Sequence, residues 1–484
     1  MLKPIVTTIL SALLTVLINS ASVDAANKKN TLPEIGVVAS SAITLDKEVL
    51  IGDALMRQLR GQGPVINDPL LDEYIQDIGN RLVTQAENVK FPYTFFILNS
   101  PDINAFAFFG GHIGIHTGLI YNARNESELA SVLAHEVSHV TQRHIARSIE
   151  AKQKSSPLQI ASMLGSILLA AVNPEAGIAA LSTTNAASAQ SSINYTRQNE
   201  KEADRVGIGI LAQAGFDPNG ASSFFGILTE KSRSKSTRLA FLQTHPLPES
   251  RIADARSRAA SYRPRNVPPS LNFHLAKSRI LARYYGNPKN NIAYFSDLIK
   301  KKNYVFKQAP QYGLALAYLA NEQPRKALTL IEELLDRDAN NLFYLDTFSD
   351  IAAATKQFDQ AIHKLTEQSV LTPYNQVVTL NLANILMQSQ QPDKAVAILK
   401  DYLLINPESM LAYELISESY RMGDKSLEMH QAKAELYSLV ASYPRAIDEL
   451  HTAYNFAGDR RIEKQRIRAR IDQLRTAQER LQTL

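Results

Sequence analysis

The chain has 484 residues, enough for about three folding units, or for two plus an array. With 45% hydrophobic and 20% charged residues it can bury sizeable cores, which excludes a mostly disordered or collagen-like protein. It contains no cysteine, hence no disulfide framework, no cysteine zinc ribbon and no thiol nucleophile; a formal net charge of +5 is too small at this length to argue for nucleic-acid binding.

Lys3, an apolar stretch from Ile5 to Ile18 and a small-x-small site at Val23-Asp24-Ala25 read as a secretory signal peptide over residues 1–25. The stretch is shorter than the ~20 residues a bilayer span needs. No Cys follows it, so a lipoprotein anchor is excluded. In a bacterium the mature chain is then expected in the periplasm, where a cysteine-free chain cannot be mis-oxidised.

Leu50, Leu55 and Leu59, then Leu71, Tyr74, Ile75, Ile78 and Leu82, recur at helical spacing. Tyr93 to Leu98 is a β-branched and aromatic run, hence a strand. Gly110-Gly111 marks a turn, and the alternation of Ile113 and Ile115 with His112, Gly114 and His116 predicts a second strand. Its edge, from Gly111 to Thr117, is the expected wall of a cleft that pairs with an extended peptide. Asn125 and Glu128 have capping-box spacing before Leu129, Val132, Leu133, Val137 and Val140, which predicts a helix packed on one side. Pro157 to Ser192 reads as an apolar, then small-residue, segment suited to a lid; the alternative is a helix resting on a membrane. Pro264, Pro268 and Pro269 cluster at an expected domain boundary.

Beyond it, Ala293, Ala327, Ala361 and Ala395 stand 34 residues apart, each thirteen residues after an apolar residue (Ile280, Leu314, Phe348, Leu382). Ile416, Tyr420 and Met429 extend the register into a degenerate fifth unit. This period resembles the tetratricopeptide repeat, in which antiparallel helices need a small residue at their close crossing. From Asp459 onward eight basic residues face four acidic ones, with Ile467, Ile471 and Leu474 as a thin apolar stripe. A capping helix with a solvated face is expected, the alternative being a contact with an acidic partner or phospholipid head groups.

His135-Glu136-Val137-Ser138-His139 lies inside the capped helix. Histidines at i and i+4 are about 40° apart around the axis and one turn up, so both imidazoles reach one metal; Glu136, roughly 100° round from His135, can hold a water on it. A catalytic zinc needs a third protein donor. Gln142 and Ile145 stand where a glycine and a third histidine of the metzincin pattern would fall, and His144 lies off the donor face, in a structural or supporting place. Glu200 and Asp204, at i and i+4, offer a carboxylate for the metal and an acceptor that fixes a donor imidazole; Glu202 points elsewhere.

Asn104-Ala105-Phe106, Gly110-Gly111-His112-Ile113, Thr117-Gly118-Leu119, H-E-x-x-H, Glu200-xxx-Asp204 and Thr244-His245-Pro246 occur in the order found in one group of zinc peptidases. The chain resembles that group, which includes the CAAX prenyl endopeptidase and the HtpX protease, in a secreted, repeat-bearing form. The resemblance implies an α+β fold: a mostly helical zincin-type metalloprotease domain with a small sheet over residues 26–265. An all-α tetratricopeptide-repeat solenoid with a basic C-terminal helix follows over 266–484. It implies one Zn2+ per chain on His135, His139 and Glu200, with Glu136 as general base and Asp204 in support. His245 is then either a donor to the developing oxyanion or an occupant of the fourth metal position. The implied clients are misfolded or stalled outer-membrane β-barrel proteins, and the implied partner is the β-barrel assembly machinery, with no nucleic acid. The rivals are a non-proteolytic repeat scaffold or chaperone of the envelope and a generic secreted protease.

Overall fold

The computed structural model describes Ala39 and residues 43–151, 186–234, 240–246, 249–263 and 265–483. The expected signal peptide and nearly all of the expected lid lie outside the described residues. Among the described residues no helix is long and apolar enough to cross a membrane.

Two helices open the chain, α1 (Leu45–Gln62) and α2 (Pro69–Val83), capped by the Thr44 and Asp68 side chains. Strands β1 (Thr94–Leu98), β2 (Ala105–Phe108) and β3 (His112–His116) form one sheet in the order β1-β3-β2, with β3 parallel to β1 and antiparallel to β2. This corrects the expected cleft wall. β3 is the central strand, with hydrogen-bond partners on both sides, so it has no free edge to offer; β1 and β2 are the edge strands. Gly110 (φ 76°) and Gly111 (φ 79°) make the turn between β2 and β3, and a Cβ on Gly111 would sit 2.5 Å from the Pro92 carbonyl oxygen.

The helices α3 (Thr117–Asn122), α4 (Glu126–Thr141), α5 (His144–Ala151), α6 (Ala186–Gln213), α7 (Asn219–Ser234), α8 (Ala240–Thr244) and α9 (Glu249–Ala260) follow. The α4 cap forms as expected, with Asn125 accepting from the Glu128 N–H, but Glu128 Oε2 reaches back 2.6 Å to the N–H of Arg124, one residue earlier than a capping box. α4 is buried nearly all round rather than on one side, because the sheet, α2, α6 and α7 enclose it.

The remainder is helical: α10 (Leu271–Tyr284), α11 (Pro288–Lys301), α12 (Gln308–Ala320), α13 (Pro324–Leu335), α14 (Leu342–Thr355), α15 (Phe358–Leu371), α16 (Gln376–Gln388), α17 (Pro392–Ile405), α18 (Met410–Met422), α19 (Ser426–Leu439), α20 (Tyr443–Phe456) and α21 (Arg461–Thr483). The fold is thus α+β with a small sheet, followed by all-helical repeats. Ala327, Ala361 and Ala395 are fully buried, each the fourth residue of its helix. Ala293 is exposed, so its phase with them is a coincidence of spacing. In α11 the fourth residue is Asn291, whose buried amide donates to the carbonyls of Leu281 and Tyr285 at the end of α10.

One hydrophobic core runs from Leu71 and Ile75 through Phe95, Ile113 and Leu133 into Phe273, Ile280, Tyr312, Leu345 and Leu382. The repeats lie along α1 and α2. Asn375 donates to Glu73 (2.9 Å), Gln376 to the Pro69 carbonyl (2.8 Å) and Arg57 to Glu408 (2.8 Å).

Candidate metal centre

α4 carries His135, Glu136 and His139, and α6 brings Glu200 and Asp204 against them. The close approach is permitted at Gly207, where a Cβ would stand 3.2 Å from backbone atoms of Ala134 and His135. His245 arrives from the end of α8, its ring stacked on Phe241 at 4.6 Å between centroids.

His135, His139, Glu200 and His245 each offer one donor atom, and the four lie within 4.8 Å of one another. His135 Nε2 is 3.0 Å from His139 Nε2, 3.3 Å from Glu200 Oε2 and 3.4 Å from His245 Nδ1. His139 Nε2 is 3.3 Å from Glu200 Oε1, and His245 Nδ1 is 3.1 Å from the same oxygen. Three imidazoles and a carboxylate without a thiolate form a nitrogen–oxygen set suited to one borderline divalent ion. Glu136 is 1% exposed; its Oε1 accepts no hydrogen bond and faces His245 Nε2 at 3.5 Å. A buried acceptor left open beside four converging donors fits an ion with a bound water or substrate.

Each donor is oriented from behind. His135 Nδ1 is 3.1 Å from Asp204 Oδ1, which leaves Nε2 for the centre. His139 Nδ1 meets His144 Nδ1 at 2.8 Å, and His144 Nε2 meets Glu202 Oε2 at 3.3 Å, held in turn by Arg147 at 2.8 Å. With His144 donating to Glu202, its Nδ1 accepts from His139 and the His139 Nε2 lone pair is free for the centre. Arg251 binds Glu200 Oε2 at 2.8 Å and clamps both oxygens of Asp204 at 2.7 and 2.8 Å. Sequence reasoning missed Arg251; the one available signal was that two adjacent buried carboxylates demand a cation.

In the metal-free chain protons take the place of an ion. Burial pushes His135 down, but the hydrogen bonds it donates to Asp204 and Glu200 reverse this and bring its pKa up to about 10. Burial lowers His139 to about 3. Burial pushes Glu200 up, yet the charges of His245 and His135 hold it well below the usual carboxylate range. Burial raises Glu136.

The chain matches the model of Peptidase family M48 over residues 69–259 and a tetratricopeptide repeat model over residues 352–418. A relative in Vibrio cholerae is 45% identical over 461 residues, covering 95% of each chain. The beta-barrel assembly-enhancing protease of Escherichia coli K12 is 41% identical, covering 99% of this chain and 97% of that one, and its counterpart in Yersinia pestis is 38% identical over 93% of each. With a group of donors able to hold a metal inside the peptidase match, and similarity along nearly its whole length, the chain belongs to the beta-barrel assembly-enhancing protease family of M48 metallopeptidases with tetratricopeptide repeats.

Proposed function

We propose that this chain is a zinc-dependent endopeptidase of the periplasm, with a signal peptide over residues 1–25, a peptidase domain over 26–265 and a repeat domain over 266–484. Its clients would be outer-membrane β-barrel proteins that misfold or stall, handled beside the β-barrel assembly machinery, as the names of its relatives suggest. The observation that carries the reading is the convergence of His135, His139, Glu200 and His245 within 4.8 Å beside a buried Glu136.

His135, His139 and Glu200 would hold the zinc, with Asp204 and Arg251 fixing their orientation. When bound, zinc polarises the peptide carbonyl and lowers the pKa of a coordinated water towards ~7. Glu136 takes the proton of the attacking water and passes it to the leaving amine; burial raises its carboxyl towards the range where both transfers are easy. His245 Nδ1 stands among the donors, so it would either give a bound ion a fourth ligand or donate to the oxyanion that develops on the peptide carbonyl. β2, the edge strand that packs on α4, aligns an extended substrate by its main chain.

A holding role for the repeats has an observation of its own. Val370, Leu371, Leu404 and Ile405, at matching positions of consecutive units, are 56–83% exposed, and Ile405 lines a cleft of about 770 Å³ against α2.

Glu136→Gln is expected to retain zinc and lose cleavage of an unfolded barrel protein by about 10²–10⁴-fold, and Glu200→Gln to lose zinc itself. Undiminished cleavage by Glu136→Gln would remove the catalytic assignment. If cleavage stops while growth under envelope stress is unchanged, the holding role is the principal one.

A further inference from the structure

The basic last helix, α21, spends much of its charge internally, with Arg466, Arg470 and Arg475 paired to Glu463, Glu435 and Asp472. The uncompensated cations lie on α6. All three acids of that helix are committed to the metal centre and its supports: Glu200 and Asp204 to His135 and Arg251, Glu202 to His144 and Arg147. All three of its cations, Arg197, Lys201 and Arg205, are exposed, and among the described residues none has an acidic partner. They stand at i, i+4 and i+8, so they share a strip about 80° wide and ~12 Å long on the outer side of the helix. Like charges at this spacing destabilise the helix that carries them, so the fold itself gains nothing from the strip.

α9, packed on α6, extends the strip. The Tyr262 hydroxyl reaches Gly209, one turn beyond Arg205, where a Cβ would stand 3.4 Å from it. The Arg265 guanidinium reaches Gly215, just past the end of α6, where a Cβ would stand 3.7 Å from it. Tyr262 is exposed, and so are Arg256, Arg263 and Arg265, again without acidic partners among the described residues. On α9 Asp254 is taken up by Arg258, which leaves Glu249 as the one acid of that helix to set against them. The result is a ribbon of six free cations, five of them arginine, with a tyrosine between.

We propose that this ribbon docks on the anionic head groups of a phospholipid bilayer and lays the outer side of α6 against the membrane surface. The chemistry favours phosphate: the planar guanidinium takes two of its oxygens at once, and tyrosine suits a boundary between apolar and wet surroundings. Lipid phosphates are also free to gather under a ribbon of any spacing, whereas an acidic protein would have to match it residue by residue. Binding of this kind is peripheral and salt-sensitive. Because Glu200 and Asp204 lie on the inner side of the same helix, docking holds the metal centre about one helix diameter, ~10 Å, from the ribbon. A chain that meets proteins bound for a membrane is thereby kept at its surface.

The test is co-sedimentation of the chain from residue 26 onward, so that the leader does not contribute, with two kinds of vesicle: phosphatidylglycerol mixed into phosphatidylcholine, and phosphatidylcholine alone. Wild type is expected to bind the first at low salt, to leave it as salt rises, and to ignore the second. Each Lys or Arg held at an anionic surface contributes about fivefold in binding, so Arg197→Gln, Lys201→Gln and Arg205→Gln together are expected to weaken it about 100-fold. Lys289→Gln, Lys300→Gln and Lys356→Gln together remove the same charge from exposed positions of the repeats and are expected to bind as wild type does. Circular dichroism and metal content should be unchanged in both sets. Glu136→Gln should also bind as wild type, since docking needs no cleavage, so the outcome is independent of the peptidase reading. No preference for the anionic vesicles in wild type, or equal losses in the two triple variants, overturns the proposal. If wild type passes the vesicles by but is retained on immobilised polyglutamate, the ribbon faces an acidic protein and the lipid assignment falls.

Discussion

His139 reaches the metal centre through a chain of partners that contributes no donor of its own. Its Nδ1 is tied to His144, and His144 to Glu202, so the tautomer that exposes Nε2 is the one the network supports. Removing the middle of the chain frees the ring to turn and to change tautomer. His144→Ala is therefore expected to weaken metal binding by about 10–100-fold in a chelator competition, with the fold intact by circular dichroism. A second expectation concerns pH. His135, its pKa brought up to about 10 by Asp204 and Glu200, carries in the metal-free chain a proton that an ion must expel. Metal affinity should accordingly rise about tenfold per pH unit through the neutral range and flatten near pH 10. Calorimetry in buffers of different ionisation enthalpy should show a proton released at pH 7; an affinity flat between pH 6 and 8 would contradict it. The H-e-x-x-H spacing and the Glu200/Asp204 pair were legible in the sequence because both are i, i+4 pairs within single helices. Arg251 and the His144–Glu202 pair were not, since they act across elements and leave no periodic trace.

The elements show the same division between local and non-local information. Helices with clean spacing and side-chain caps, α2 and α4 above all, could be read directly. β2 could not, because Ala105–Phe108 is a four-residue strand set just before the Gly110-Gly111 turn and becomes a strand only through its pairing with β3. That omission misplaced the open edge of the sheet, since a β3 read without its second neighbour seems to have a free side. The repeat register carries a comparable lesson. Spacing alone put Ala293 with Ala327, Ala361 and Ala395, but α11 begins 36 residues before α13, whereas α13, α15 and α17 begin 34 apart. The two-residue slip brings Asn291 to the crossing. Ala361→Leu is expected to cost about 1–3 kcal/mol by overpacking, while Ala293→Leu changes stability by less than about 0.5 kcal/mol. Urea unfolding of the two variants separates these cases, and equal losses would reinstate the simple register.

At the scale of the molecule the peptidase and repeat halves share one core, and its polar centre is Arg279. The guanidinium is 2% exposed and bonds Asp68, the cap of α2, and Asp346 of α14, each at 2.7 Å, with the Tyr312 hydroxyl at 3.0 Å. Burial pushes the Asp68 carboxyl up, and the charge and hydrogen bond of Arg279 more than reverse it, leaving it below the usual value. The sign follows: a carboxyl with a lowered folded-state pKa adds stability above its unfolded pKa of about 3.9 and loses it as pH falls through the folded value. Arg279→Met leaves two buried carboxylates facing each other, so it is expected to cost about 3–5 kcal/mol at pH 7. The cost should shrink as pH falls towards 4, because the orphaned acids then take up protons. Because the core is continuous, the loss should appear as a downward shift of one thermal transition seen alike by peptidase activity and by helical signal. If activity survives to temperatures at which the repeats have melted, the two halves are independent and the guanidinium is a local ornament of α10, not the joint between them.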